Sequence, residues 1–146
     1  RSTTTEVALR LKSFRAAPRG GSFHLQEATM RLHHVQLAIP PGSEAECRRF
    51  YCDVLGWREL TKPPVLAVRG GLWLQAGEHE LHLGVEEEFR PARKAHPGFA
   101  VADLDAVAER LRAAGAPVEF DNAIPGVKRF YTADAVGNRI EFLEER

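Results

Sequence analysis

Two histidines head the same short phrase. "HVQLAI" begins at His34 and "HPGFAV" at His96, so His-x-x-[Leu/Phe]-Ala-[Ile/Val] is written twice in a chain of 146 residues. A third chemistry-bearing residue, Glu141, stands between Ile140 and Phe142 near the end of the chain. In an alternating segment, apolar neighbours on both sides put a carboxylate on the face opposite to theirs. "HELHLGV" adds a fourth donor, Glu80 or His82, with Leu81 and Leu83 on the other face. Two imidazoles, one carboxylate and a further N or O donor suit one divalent metal ion (zinc, nickel, iron or manganese) and leave coordination positions open for a substrate. Each signal is weak alone. A histidine at a strand start is ordinarily a surface residue, and a glutamate in a polar terminal segment is ordinarily solvated. The symmetric placement of the histidines is what lifts the set above its members.

The elements that must position these residues also repeat. "LHHVQLAI" alternates as a strand, with Val35, Leu37 and Ile39 on one face and His34, Gln36 and Ala38 on the other. Gln36, two residues from His34, is therefore expected to share its pocket. Ser43-Glu44-Ala45-Glu46 reads as a capping box, opening a helix that buries Cys47, Phe50, Tyr51 and Val54 and stops at Gly56. Three strands are expected to follow, at about 57–61, 65–75 (with Gly70-Gly71 as a point where it can break) and 79–85. The polar "VEEEFRPARKA" serves as a connector, and the cycle restarts. "HPGFAVA" reads as a strand, Asp103 caps a helix with the stripe Leu104, Val107, Ala108 and Leu111, and Gly115 ends it. "PVEF", "KRFYTAD" and "RIEFLEE" supply three more strands, with "IPG" and "AVGN" as turns. The expected fold class is α+β: two tandem βαβββ modules, 30–88 and 95–146, forming curved mixed sheets around a shared cleft. His34 and His96 then occupy equivalent positions on either side of it.

Bulk properties narrow the partners. Lys+Arg and Asp+Glu are both 20, so no net charge points to nucleic acid or an anionic membrane, and no apolar run approaches a membrane span. Residues 1–29 carry five basic and two acidic side chains. They faintly resemble a transit segment, but the preferred reading is a nonessential extension, with a short helix or strand at 6–14, because Met30 stands directly before the first strong strand. Cys47 and Cys52 lie five apart in one helix and point in different directions. Buried thiols in a reducing, cytoplasmic setting are expected rather than a disulfide. There is no nucleotide loop, nucleophile elbow or CxxC pair.

The duplicated unit, with "HHVQLAI" opening it, "HPGFAVADLD" opening its second half and "PGVKRFYTADAVGNRIEFLE" closing it, resembles the vicinal oxygen chelate superfamily over about residues 30–146. That superfamily includes glyoxalase I, extradiol dioxygenases, fosfomycin-inactivating thiol transferases and bleomycin-resistance proteins. The resemblance implies metal ligands at His34, His96 and Glu141. The fourth falls on Glu80 or His82, and His82 is favoured because Leu81-His82-Leu83 repeats the pattern Ile140-Glu141-Phe142. It further implies a metalloenzyme that chelates a small oxygen-bearing metabolite and stabilises an oxyanion, with Glu141 also able to serve as a base. The alternative it carries is a metal-free drug- or metabolite-sequestering protein. Arg129 is the candidate for reaching an anionic substrate group, and Trp73, Phe130 and Tyr131 are candidate wall residues. Two-module members are commonly homodimers, in some of which each cleft is built from halves of different chains. The chain departs from the usual Asp-Pro-x-Gly-Asn turn with Asp134-Ala135-Val136-Gly137-Asn138, which keeps the turn residues but loses the aromatic.

Overall fold

The computed structural model of the protein describes residues 31–145, so the expected extension over 1–29 lies outside the described residues. The chain forms two four-stranded mixed sheets of the same topology. In the first, β1 (His34–Ile39) runs parallel to β4 (His79–Val85), followed antiparallel by β3 (Leu72–Ala76) and β2 (Arg58–Leu60). In the second, β5 (Gly98–Val101) runs parallel to β8 (Arg139–Glu144), followed by β7 (Arg129–Ala133) and β6 (Glu119–Phe120). A helical crossover after the first strand of each module lets a three-strand meander dock its last strand beside the first. Among the described residues, no helix is long and apolar enough to cross a membrane.

Strand alternation sorts the side chains as expected. Leu37, Ile39, Leu72, Leu74, Leu81 and Leu83 from the first sheet, and Phe130, Ile140 and Phe142 from the second, are buried in one apolar cluster. Cys47, Phe50 and Tyr51 join them, as do Leu104, Ala108 and Leu111 from α3 (Leu104–Ala113). Asp103 caps α3 by accepting from the Ala106 amide at 2.9 Å. The opposite faces of both sheets carry the polar and titratable side chains.

Four local expectations are corrected. The capping box does not form: Ser43 Oγ donates to the Pro40 carbonyl at 2.7 Å and caps no helical amide; separately, Glu44 accepts from the Gly71 amide at 2.9 Å. That amide holds the Glu44 carboxyl below its usual range. The first helix is α-helical only over Glu44–Arg48 (α1) and widens into a π-helix over Arg49–Val54. Its wide turn is closed by Leu55 N–H to Phe50 O at 3.1 Å, and Phe50 and Tyr51 are buried as the spacing predicts. The strand expected from 65 is instead a helical turn, α2 (Pro64–Ala67), because Pro64 sits at its first position with φ preset and no N–H to satisfy. Finally, β5 begins at Gly98, not at His96. Pro97 cannot donate to a ladder, and its carbonyl accepts from Glu141 N–H at 3.0 Å, so His96 stands just ahead of the strand.

Gly71 is where the first sheet tolerates no side chain. Its φ is +77°, and a Cβ there would lie 2.0 Å from the Leu83 carbonyl oxygen. Gly71→Ala is expected to cost about 2–3 kcal/mol in urea unfolding, from left-handed strain plus displacement of the β3–β4 pairing. An unchanged midpoint would contradict this close approach.

Candidate metal and substrate site

On the first sheet, the face opposite the core presents His34, Gln36, Trp73, Glu80 and His82. The His82 ring is sandwiched: His34 stacks on it at 4.2 Å between centroids and Trp73 at 4.4 Å. The stack leaves His82 only 6 % exposed. Its Nε2 contacts Glu80 Oε2 at 2.9 Å, where the carboxylate accepts and the imidazole donates. The hydrogen bond from His82 holds the Glu80 carboxyl below the usual carboxylate range, with His33, His82 and His34 adding their charge effects. His33 closes the group, its Nδ1 lying 3.1 Å from Nδ1 of His34. His33, His34, Trp73, Glu80 and His82, with Leu60 and Thr61, line a cleft of about 530 Å³. Gln36 points to the same side. Its amide lies over Gly84, where an added Cβ would sit 2.7 Å from Nε2.

Strand register separates Glu80 from His82 by their place relative to Glu141. Gln36 pairs with His82, and Gly98 pairs with Glu141. With His34 equivalent to His96, Gln36 is equivalent to Gly98, which makes His82 the counterpart of Glu141. Glu80 instead pairs with His34 itself.

On the second sheet, His96 Nδ1 donates to the Lys94 carbonyl at 2.8 Å, and Nε2 faces Glu141 Oε2 at 3.1 Å. Since a carbonyl only accepts, Nδ1 carries a proton, and in the neutral ring Nε2 presents a lone pair. An Nε2 and a carboxylate oxygen at this distance are held together by a proton between them or by a cation that both atoms share. The other oxygen of Glu141 accepts from Arg129 Nη1 at 2.9 Å, and Arg129 Nη2 reaches Asp121 at 2.8 Å. Arg129 is thus engaged at both terminal nitrogens, while its buried Nε has no partner. Tyr131 stands edge-on to His96 at 5.3 Å between centroids. Phe130 is fully buried and belongs to the core, not to a wall of the site.

The fold therefore brings His34 together with His82, and His96 together with Glu141, on separate sheets. Among the described residues, no three His, Cys, Asp or Glu side chains converge to hold a metal ion. Sequence reasoning passes over His33 and Asp121. The doublet His33-His34 is visible in the sequence, whereas Asp121 becomes meaningful only once the β6–β7 hairpin sets it against Arg129. Cys47 is buried and its thiol is pushed up to about 12, chiefly by desolvation and then by Asp134, so it is no nucleophile.

The model of the glyoxalase-like domain family matches residues 36–143. A solved glyoxalase family protein of Bacillus anthracis is 45% identical, with a TM-score of 0.77 over 80% of this chain and 96% of that one. Lactoylglutathione lyase of Agrobacterium tumefaciens is 20% identical, with a TM-score of 0.61 over 81% of this chain and 95% of that one. An antibiotic binding protein of Streptomyces sp. CB03234 is likewise 20% identical, with a TM-score of 0.61, over 82% and 98%. The latter two likenesses are likenesses of fold. None of the curated proteins matches the chain.

Proposed function

Because the chain belongs to the glyoxalase-like domain family, within the vicinal oxygen chelate superfamily, we propose that it is a divalent-metal-dependent enzyme acting on a small oxygen-bearing metabolite. The metal-holding set is His34, His82, His96 and Glu141. The observation that carries this reading is the His96–Glu141 pair. Nε2 and Oε2 converge at 3.1 Å while the far side of the imidazole is fixed by the Lys94 carbonyl, the arrangement a ligating histidine needs from its surroundings. When bound, the ion supplies Lewis-acid polarisation of substrate oxygens and stabilises the negative charge that develops on them. Glu141 Oε2 is the atom suited to hold a substrate proton, while Arg129 Nη1, donating to Oε1, fixes the plane of the carboxylate. Trp73 and Leu60 give the first-module side an apolar wall.

Since His34–His82 and His96–Glu141 lie on separate sheets, the reading completes each site from two copies of the chain, one contributing each pair. A homodimer follows from it.

One observation favours a second reading, a metal-free protein that sequesters a drug or metabolite. Arg129 and His96 between them pair both oxygens of Glu141, which supplies its countercharge without an ion. The antibiotic binding protein of similar fold is a precedent for that use. Calorimetric titration of the purified protein with zinc, nickel, iron(II) and manganese separates the two. Tight uptake is expected, weakened at least about 100-fold by His96→Ala, the upper end of the cost of removing even an outer-shell partner. A wild-type protein that takes up none of the four ions, yet binds an aromatic ligand, would establish sequestration instead.

A further inference from the structure

The second module carries a guanidinium that no carboxylate claims. Arg129, the cation marked by sequence for a substrate anion, is engaged by Glu141 and Asp121. Arg139 lies two residues before Glu141 on β8 and on the same face, and has no ion-pair partner among the described residues. Its guanidinium sits over the Tyr131 ring, Cζ 3.7 Å from the centroid, and Nη1 donates to the Arg93 carbonyl at 3.4 Å. Arg93 is exposed and, among the described residues, also without an acidic partner. Both arginines line a pocket of about 470 Å³ with Tyr131, Thr132 and Glu119. Two guanidiniums against one carboxylate leave its ionisable lining net positive.

We propose that Arg139, assisted by Arg93, is an oxyanion-binding subsite that takes a carboxylate or phosphate group of the substrate. Contact with Tyr131 restrains the guanidinium and leaves N–H edges to donate in parallel to two oxygens of one anion. The same Tyr131 ring has His96 against its edge at 5.3 Å. An anion held by Arg139 is therefore one aromatic ring away from the His96–Glu141 pair. The substrate class is a small metabolite with chelating oxygens at one end and a carboxylate or phosphate at the other. This assignment rests on His96–Glu141 being the reacting end.

The test follows arginine Nε–Hε resonances by NMR in the chelator-treated full chain. Inorganic phosphate and acetate are titrated separately at constant ionic strength. The Arg139 signal is expected to move saturably with at least one anion, and the one that saturates at lower concentration names the group. Arg139→Gln is expected to weaken that binding at least about tenfold, as loss of a charge-assisted hydrogen bond implies. Arg139→Lys, which keeps the charge and loses the fork, falls between. Arg93→Gln, on the exposed connector, costs about threefold, as a solvent-screened charge does. Zinc affinity of Arg139→Gln should stay within about twofold of wild type, since the residue is not in the proposed ligand set. Shifts that rise linearly for both anions, or equal affinity in Arg139→Gln, overturn the subsite. So does a loss of zinc binding in that variant, which would mark Arg139 as structural. Failure of wild type to bind zinc, with saturable anion binding intact, overturns the metal reading and not the subsite.

Discussion

His34→Ala and His96→Ala, each unable to bind metal tightly, are expected to regain about one quarter of the wild-type sites when unfolded together and refolded as an equal mixture. The expectation follows from where the fold puts the two pairs. His34 stacks on His82 on the first sheet, His96 meets Glu141 on the second, and among the described residues no three such groups converge within one chain. If each cleft takes one pair from each of two copies, random pairing makes about half of the dimers mixed. Every mixed dimer then has one cleft with both histidines intact and one cleft with neither. Elemental analysis of the refolded mixture reads the recovery directly, and size-exclusion chromatography checks that dimers formed. Each variant refolded alone supplies the baseline. If mixed dimers form and the mixture stays at that baseline, sites shared between chains are refuted. Recovery near one quarter excludes a site built within a single chain, because a mixed dimer would then hold two damaged sites.

The polar faces are legible in the amino-acid order alone, because alternation is a local property of a strand. His34 and Gln36 on one side of β1, Leu37 and Ile39 on the other, need only period-two counting. The α3 stripe is equally plain, since Leu104, Ala108 and Leu111 all enter the core. Long-range pairing is what local patterns do not carry. Nothing in "KRFYTAD" says that Arg129 spends both terminal nitrogens on Asp121 and Glu141, because that depends on the register of β7 against β6 and β8. The freedom of Arg139 is hidden for the same reason. The π-helical turn escapes because periodicity at 3.6 predicts which residues are buried but not a local change of helical pitch. The rigid role of Pro97 in setting His96 ahead of its strand is visible in principle, as a residue without an N–H at a ladder's start.

Asn138→Ala is expected to lower unfolding free energy by about 3–5 kcal/mol, the largest stability loss of any single truncation near the site. Asn138 is 1 % exposed. Its Nδ2 donates to the Ala38 carbonyl at 2.9 Å and to Asp134 Oδ2 at 3.1 Å, and its Oδ1 accepts from the Ala92 amide at 2.9 Å. Those three bonds join β1, the connector between modules and the turn leading into β8. Asp134 is the second half of the knot: Oδ1 accepts from Val136 N and Asn138 N, and Oδ2 from Tyr51 OH at 2.8 Å. Burial, and then the Asp134 charge, push the Tyr51 hydroxyl well above its ordinary range, so it stays a donor across any working pH. Removing the Asn138 amide strands a backbone N–H, a carbonyl and part of a carboxylate, each costing about 1–3 kcal/mol where water cannot replace the partner. Tyr51→Phe removes one bond and is expected to cost about 1–2 kcal/mol, so the two variants rank the knot in guanidinium unfolding. Asn138→Asp is the more discriminating change. It keeps the shape but sets a second carboxylate against Asp134, and like charges raise the pKa of the pair in the folded state. A folded-state pKa above the unfolded value means stability that is greatest at low pH and lost as pH rises, so the deficit of Asn138→Asp against wild type should shrink on acidification. A deficit independent of pH would mean that Asn138 is held by shape and not by the Asp134 carboxylate. The same knot fixes β1, which carries His34, relative to the turn that launches Glu141.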